Sequence, residues 1–600
     1  MTALHKQTDI NISEKANMIW GVADIIRGTF KPHEYGKVIL PMTLLKRLND
    51  TLEPTKEAVM KKYEEVKSFE VKDGFLKKAA GYDFYNTSPF TFSNLLNEPE
   101  HIEDNFKSFI AGFSDNILDI MKNFKFENTI ADLVGNSKED DKLFYVIQEF
   151  NKSNAYMGAD LITTTDMGYI FEELVRKFSE SYNEEAGAHF TARDIIYTMT
   201  DLLVAEERNM LQEEGVVKTV YDMTMGTSQM LTAMEERLKE LDSEAEVTVF
   251  GQEFNPETYA IAKADMIIRG GNSSNMRFGD TLSNDQFSGY TFDYIISNPP
   301  FGIDWKAQKN AVESENKLGE KGRFSPGLPK ISDGQMLFTL NGAKKLNDTG
   351  KMAIIHNGSP LFSGDAESGP SEIRRYFIEN DWIEAIVQLP SDLFYNTGIT
   401  TYIWILSKNK SSKRAGQIQL IDASNMYEKR RKSLGYKRVD LSEECRKVIV
   451  AAYGEFQNKT YEHEGKTVES KVFKNEDFGY YKITVETPVY DEDGKIQKKS
   501  GKKVADTSKR DTESVPMIFG REKDEVIEEY FKKEVLPYNP DAWIDKNKTK
   551  IGYEIPFTRY FYKYEAPEKA DAIAERIVAT ETDLMSSLRA LFSKDGESVE

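Results

Sequence analysis

Residues 216–229 read Val216-Val217-Lys218-Thr219-Val220-Tyr221-Asp222-Met223-Thr224-Met225-Gly226-Thr227-Ser228-Gln229. The run from Val216 to Tyr221 is β-branched and apolar, of strand length. An acid and a turn of small residues follow at once, and then a helical segment around Leu231 to Leu241. A strand feeding a helix through a tight turn is the first half of a βαβ unit.

Outward from this stretch the same alternation repeats. From about residue 165, short apolar runs alternate with helical segments, giving strands at Val247–Gly251, Phe292–Ile296, Met352–Ile355, Ile383–Leu389 and Thr400–Leu406. Ser371 to Asn380, with Ile373, Tyr376 and Phe377 on one side, fits a crossover helix. We therefore expect a doubly wound α/β domain with a parallel sheet over 165–410. In such sheets ligands sit beyond the carboxyl ends of the strands.

Upstream, 1–164 reads as a helical domain. Ile19, Val22 and Ile26 share a helical face, Phe30-Lys31-Pro32 is a break, and Ile39 to Leu48 is a second apolar stretch. Downstream, 411–600 reads as a charged, mixed C-terminal region in which Lys495 to Arg510 is a solvated loop. Its last helix carries Ile573, Ile577, Leu584, Leu588 and Leu591 as one apolar seam, suited equally to a partner or to its own domain.

Six hundred residues exceed one hydrophobic core. No apolar run is long enough to span a bilayer and no secretory signal opens the chain, so we expect a cytoplasmic protein without a membrane. One cysteine, Cys445, excludes an internal disulfide and a cysteine-rich zinc site, and six scattered histidines supply no ligand spacing, so no metal is expected. The formal charge of -21 argues against a chain that grips nucleic acid over its whole surface. A local basic patch or a partner would have to hold it.

Four loops carry chemistry. Asp222 to Gln229, with Thr224, Met225 and Gly226 at its centre, opens a helix and lets a ligand approach the backbone. Glu253 ends the second strand, where an acid can accept both ribose hydroxyls of a nucleoside. Asp280, in Phe278-Gly279-Asp280-Thr281, is placed to accept from an adenine amino group.

The fourth loop, Asn298-Pro299-Pro300-Phe301, follows the strand at Phe292. An exocyclic aromatic amine is a poor nucleophile because its lone pair is delocalised into the ring. The Asn298 side-chain carbonyl and the Pro299 backbone carbonyl can each accept one N–H and aim that lone pair at a sulfonium methyl. Pro299 and Pro300 fix the backbone, and Phe301 offers a face for an extruded base. Gly302 to about Asp333 has no regular periodicity. Its Lys306, Lys309, Lys317, Lys321, Arg323 and Lys330 suit either a DNA-backbone contact or a solvated loop.

The sequence resembles the modification (M) subunits of type I restriction-modification systems, a family of N6-adenine DNA methyltransferases. The likeness is carried by Phe30–Tyr35, Gly187–Arg193, Asp222–Gln229, Asn298–Phe301, His356–Phe362, Asp392–Ile399, Arg431–Gly435 and Asn475–Tyr480. It implies a Rossmann-like domain using S-adenosylmethionine (S-adenosyl-L-methionine), with Ala188, His189, Phe190, Thr191 and Arg193 lining the cofactor pocket beside Thr224 to Gly226 and Glu253. It also implies double-stranded DNA as substrate. The partners implied are a specificity subunit that selects the target for two such chains, and a restriction subunit. The chain departs from the family at Ala192, where proline is usual, at Met225, where a small residue is usual, and at Thr227-Ser228-Gln229, where the run is glycine-rich. Fewer glycines narrow the approach to the cofactor, so a non-catalytic assembly subunit with a degenerate cofactor loop stands as the alternative. Transfer to a protein glutamine amide is a third reading.

Overall fold

The computed structural model describes residues 11–135, 141–181, 191–206, 217–241, 245–564 and 568–593. The chain divides into two compact units, Met1–Ile555 and Pro556–Glu600.

The first unit begins with helices. Ile12–Trp20 and Val22–Ile26 bury Ile19, Val22 and Ile26, and Gly36–Leu52 is buried along most of its length. Phe92 meets Phe106, Phe109 and Phe150 edge to face, an arrangement the ring quadrupole favours.

The next layer is a ten-stranded sheet. Its strands are β1 (Val217–Asp222), β2 (Glu246–Glu253), β3 (Met276–Phe278), β4 (Phe292–Ser297), β5 (Leu346–Asn357), β6 (Ile383–Gln388), β7 (Thr401–Ser407) and β8 (Gln417–Asp422). A hairpin, β9 (Glu428–Leu434) with β10 (Lys437–Asp440), stands outside it, and β11 (Lys459–His463) and β12 (Lys466–Lys474) complete it. The order is β11-β12-β8-β6-β7-β5-β4-β1-β2-β3. The six expected strands are all present, and the sheet continues past residue 410 through β8, β11 and β12.

The sheet is mixed rather than wholly parallel. β3, β2, β1, β4 and β5 are parallel neighbours, but β7 runs antiparallel to both β5 and β6. The link from β6 to β7 contains no helix, and a parallel crossover ordinarily needs one. The chain instead reverses, with the Leu389 amide donating to the Thr401 carbonyl.

One sheet face packs against Arg193–Val204, Gln229–Leu241 and Glu443–Glu455. It joins Ile195, Met199, Leu231 and Ile449 to Val220, Ile355, Val387 and Ile403. The helix Pro256–Ile268 is apolar on two sides. Tyr259, Ala262 and Met266 enter that core, whereas Ala260, Ala264, Ile267 and Ile268 enter the N-terminal helical core. The side bearing Ile261, Ala264 and Ile268 is the one turned to the N-terminal layer.

A four-stranded sheet centred on Gly479–Glu486 closes the unit, with Ile483, Val515, Val526 and Phe531 in its core. Lys495 to Arg510 includes a short exposed hairpin, Lys498–Lys499 against Lys502–Lys503. In the second unit the helix Ala570–Ser593 leaves Ile573, Ile577, Leu584 and Leu588 exposed; the side chain of Leu591 lies outside the described residues.

Candidate active site

The carboxyl ends of β1, β2 and β4 converge on a cavity of about 560 Å³, within the range that small-molecule sites occupy. Thr191, Thr224, Met225, Gly226, Glu253, Asp280, Asn298 and Pro300 all line it. The switch in strand order, where β1 stands between β2 and β4, opens this crevice.

Asp222 ends β1 beneath the cavity, fully buried. Its Oδ1 accepts from the Thr224 amide at 2.9 Å and from Ser297 Oγ at 2.7 Å. Burial pushes its carboxyl up to about 7 against those donors. Thr224 Oγ1 lies 2.8 Å from Ser297 Oγ, so the turn after β1 is tied to the residue that precedes Asn298.

Glu253 is 6% exposed. Its Oε1 accepts from the amides of Phe254 at 3.0 Å and Asn255 at 2.8 Å, and Oε2 accepts from the Gly226 amide at 3.1 Å. Burial pushes it too up to about 7, with these amides opposing the rise. The carboxylate therefore bridges the β1 turn and the start of the Pro256 helix, which Asn255 caps through the Thr258 amide.

Asp280 Oδ1 accepts from the Leu282 amide at 2.8 Å, and Oδ2 from Gln308 Nε2 at 2.6 Å. Gln308 belongs to the segment that follows Phe301. That segment is folded: Trp305 is buried, and its Nε1 donates to the Lys330 carbonyl at 3.0 Å. Lys309–Asn316 is a helix, and Arg323 is held by Glu315 and by the Thr281 carbonyl. Arg323 is thus committed inward, while Lys306, Lys309, Lys317, Lys321 and Lys330 are exposed. Ile303, Trp305 and Gln308 line the cavity with Phe254 and Phe338. None of these five stood out in the sequence, although an aromatic directly after the acid that ends β2 is a readable sign of a stacking face.

Asn298 Nδ2 donates to Thr191 Oγ1 at 3.0 Å. Its Oδ1 is buried and, among the described residues, has no hydrogen-bond partner. A buried acceptor left open costs free energy unless a ligand satisfies it. Pro299 is buried, and Phe301 is half-buried with its ring edge-on to Phe394 at 6.4 Å; neither lines the cavity. Arg193 is turned elsewhere. Its Nε donates to Glu172 Oε1 at 2.6 Å and its guanidinium reaches Tyr197, one turn along the same helix, and Glu236. Ala188, His189 and Phe190 lie outside the described residues.

The three departures from the glycine-rich pattern have separate accommodations. Ala192 holds φ −66°, the angle a proline would impose. Met225 is 3% exposed and packs over Gly251, where an added Cβ would stand 2.2 Å from its sulfur. Ser228 adopts φ 70°, a left-handed conformation that favours glycine, and its Oγ donates to Asp265 Oδ2 at 3.3 Å. The turn thus keeps its course without the glycines. An acid at the nucleoside end, an open backbone turn and a cavity of this size fit S-adenosylmethionine.

A family model described as N-6 DNA methylase matches residues 163–495, and one described as the HsdM N-terminal domain matches 15–150. The chain is 25% identical over 456 residues to the type I restriction enzyme MjaIX methylase subunit of Methanocaldococcus jannaschii, covering 74% of this chain and 78% of that one. It is also 25% identical to the MpnII methylase subunit of Mycoplasma pneumoniae, covering 71% and 82%. The fold is like that of the type I restriction-modification methyltransferase subunit from Streptococcus thermophilus, with a TM-score of 0.60, 22% identity, and 78% and 97% coverage. With more than half its length matched and the site assembled on the ends of β1, β2 and β4, the chain belongs to the N-6 DNA methylase family and is an S-adenosylmethionine-dependent, adenine-specific DNA methyltransferase.

Proposed function

We propose that Asn298 Oδ1 and the Pro299 carbonyl accept the two N–H groups of an extruded adenine. The observation that supports this reading is the open, buried Oδ1 of Asn298 on a cavity that Glu253 also borders. Accepting both N–H groups localises the nitrogen lone pair and orients it. Thr191 accepts from the Asn298 amide nitrogen, which leaves Oδ1 as the free acceptor. Phe301, braced by Phe394, offers a stacking face for the base.

Glu253 would hold the ribose hydroxyls, Asp280 the adenine amino group, and the Thr224 to Gly226 turn the amino-acid end of S-adenosylmethionine, which supplies an electrophilic methyl group when bound. Trp305, buried, and Phe338 give the cavity wall an apolar face.

We further propose that the chain works in the cytoplasm as the modification subunit of a type I restriction-modification assembly, two copies on one specificity subunit, with a restriction subunit able to join. The names of its relatives and the charge of -21 support this, because target recognition then falls to another chain. Among the described residues no helix is long and apolar enough to cross a membrane.

The test is transfer of labelled methyl groups to duplex DNA by the chain with its specificity subunit, followed by mass spectrometry of the digested DNA for N6-methyladenine. Asn298→Ala is expected to lower transfer by roughly a hundredfold or more with the fold intact. Undiminished transfer by that variant removes the assignment.

A further inference from the structure

The hairpin β9–β10 concentrates positive charge in an acidic protein. Lys429 to Arg438 contains six cations and no acid, against a chain charge of -21. Arg430 is paired with Asp440, and Lys437 with Asp194. Lys429, Arg431, Lys432 and Arg438 are exposed, and among the described residues none of the four is paired with an acid. A charge run of this kind is usually only a solvated face, so its position has to decide what it does.

That position is fixed from two sides by segments that touch the Asn298–Phe301 loop. Lys437 is 1% exposed, and its Nζ donates to Asp194 Oδ2 at 2.8 Å and to the Leu393 carbonyl at 3.1 Å. Asp194 lies three residues after Thr191, whose hydroxyl holds Asn298, and Leu393 adjoins Phe394, whose ring meets Phe301. The Tyr436 amide donates to the Tyr395 carbonyl at 3.0 Å and the Arg438 amide to the Asp392 carbonyl at 2.8 Å. Tyr436 itself, at the turn, is 43% exposed. The hairpin is therefore bonded to the two segments that touch the Asn298–Phe301 loop, and it carries its unpaired cations in the same neighbourhood as Asp194 and Asp392–Tyr395.

We infer that this hairpin grips the phosphate backbone of the duplex next to the extruded adenine, through Arg431, Lys432 and Arg438. This rests on the proposed transfer to an extruded DNA base. A nucleotide whose base is drawn into the cavity brings its flanking phosphates to the rim, and phosphate contacts are what position a duplex without reading its sequence. In a chain otherwise repelled by DNA, a few unpaired cations at the rim supply local attraction where the base has to be held.

The experiment uses the full-length chain assembled with its specificity subunit and a fluorescently labelled mixed-sequence duplex, titrated over a range of salt concentrations. The triple variant Arg431→Gln/Lys432→Gln/Arg438→Gln is expected to lower the slope of log affinity against log salt by about 0.9 for each phosphate no longer neutralised, roughly 2.7 in all. The charge-retaining Arg431→Lys/Arg438→Lys pair is expected to keep the wild-type slope. S-adenosylmethionine titrated into the triple variant should bind as to wild type, which reports the fold. An unchanged slope in the triple variant overturns the inference. So does loss of assembly with the specificity subunit at an unchanged slope, which would make the hairpin a protein-docking surface. Binding is read independently of chemistry: a wild-type complex that binds DNA with the expected slope yet transfers no methyl group defeats the catalytic reading and leaves the hairpin's grip on phosphate standing.

Discussion

Thr191 Oγ1 accepts from Asn298 Nδ2 at 3.0 Å, and both residues line the cavity. Thr191→Val keeps the shape of the side chain and removes the acceptor. The amide then loses its anchor, and kcat is expected to fall by about tenfold, the loss of one hydrogen bond near 1.4 kcal/mol. Thr191→Ser should retain most activity. Steady-state methyl transfer with calorimetry of cofactor binding separates this from a collapsed pocket.

Gln308 donates to Asp280 Oδ2 at 2.6 Å, on the carboxylate assigned to the cofactor's adenine amino group. Binding must therefore displace Gln308 or share the acceptor with it. Gln308→Ala is expected to tighten cofactor binding by up to about tenfold, because a hydrogen bond no longer has to be exchanged. Asp280→Asn should weaken it. Calorimetric titration reads both, and weaker binding by Gln308→Ala would make Gln308 a ligand instead.

Glu253 carries a second consequence through its raised carboxyl, about 7 because of burial. Accepting two ribose hydroxyls requires the ionised form, so cofactor affinity is expected to rise as pH increases through about 7. Glu253→Gln should bind weakly and lose most of this pH dependence, leaving the part due to Asp222, which burial also lifts to about 7. Stability moves the opposite way. A carboxyl whose folded pKa exceeds its unfolded value binds its proton more tightly when folded, so its contribution is full below about 4 and lost as pH climbs to about 7. Thermal unfolding without cofactor should show this decline, and cofactor should offset it above pH 7.

Gly251 leaves the space that Met225 fills, with a substituted Cβ falling 2.2 Å from the sulfur. Gly251→Ala is expected to cost about 1–3 kcal/mol by overpacking and to drive Met225 towards the cavity. Met225→Ala in the same chain should recover most of that loss and restore cofactor binding. Denaturant unfolding of the single and double variants checks both.

Much of this arrangement was legible from residue order. The β-branched and apolar runs at Val220, Val249, Ile295, Ile354, Val387 and Ile403 are buried strands, so their hydrophobic pattern alone located them. β11 and β12 were not legible: they interleave Lys459, Glu462, Lys466 and Glu469 with few apolar positions, the pattern of an antiparallel edge with one wet side. Asp222 and Glu253 end their strands and Asn298 follows its own directly, which is why the chain brings them to one end of the sheet. Arg193 shows the limit of adjacency. It is two residues from Thr191, yet the turn of a helix carries it to Glu172 and away from the cavity. Trp305 and Gln308 reach the site only because the long segment after Phe301 folds back, and no periodicity announces that return.

The helix Pro256–Ile268 has no idle side. Ala260 and Ala264 press into the N-terminal helical core while Tyr259 and Met266 press into the core of the sheet, and Glu253 receives the Asn255 amide at its start. Packed cores transmit displacement because they contain little void to absorb it. The helix is therefore a tie rod, built so that a torque applied by any partner gripping the first layer would be carried to the Glu253 end of the cavity.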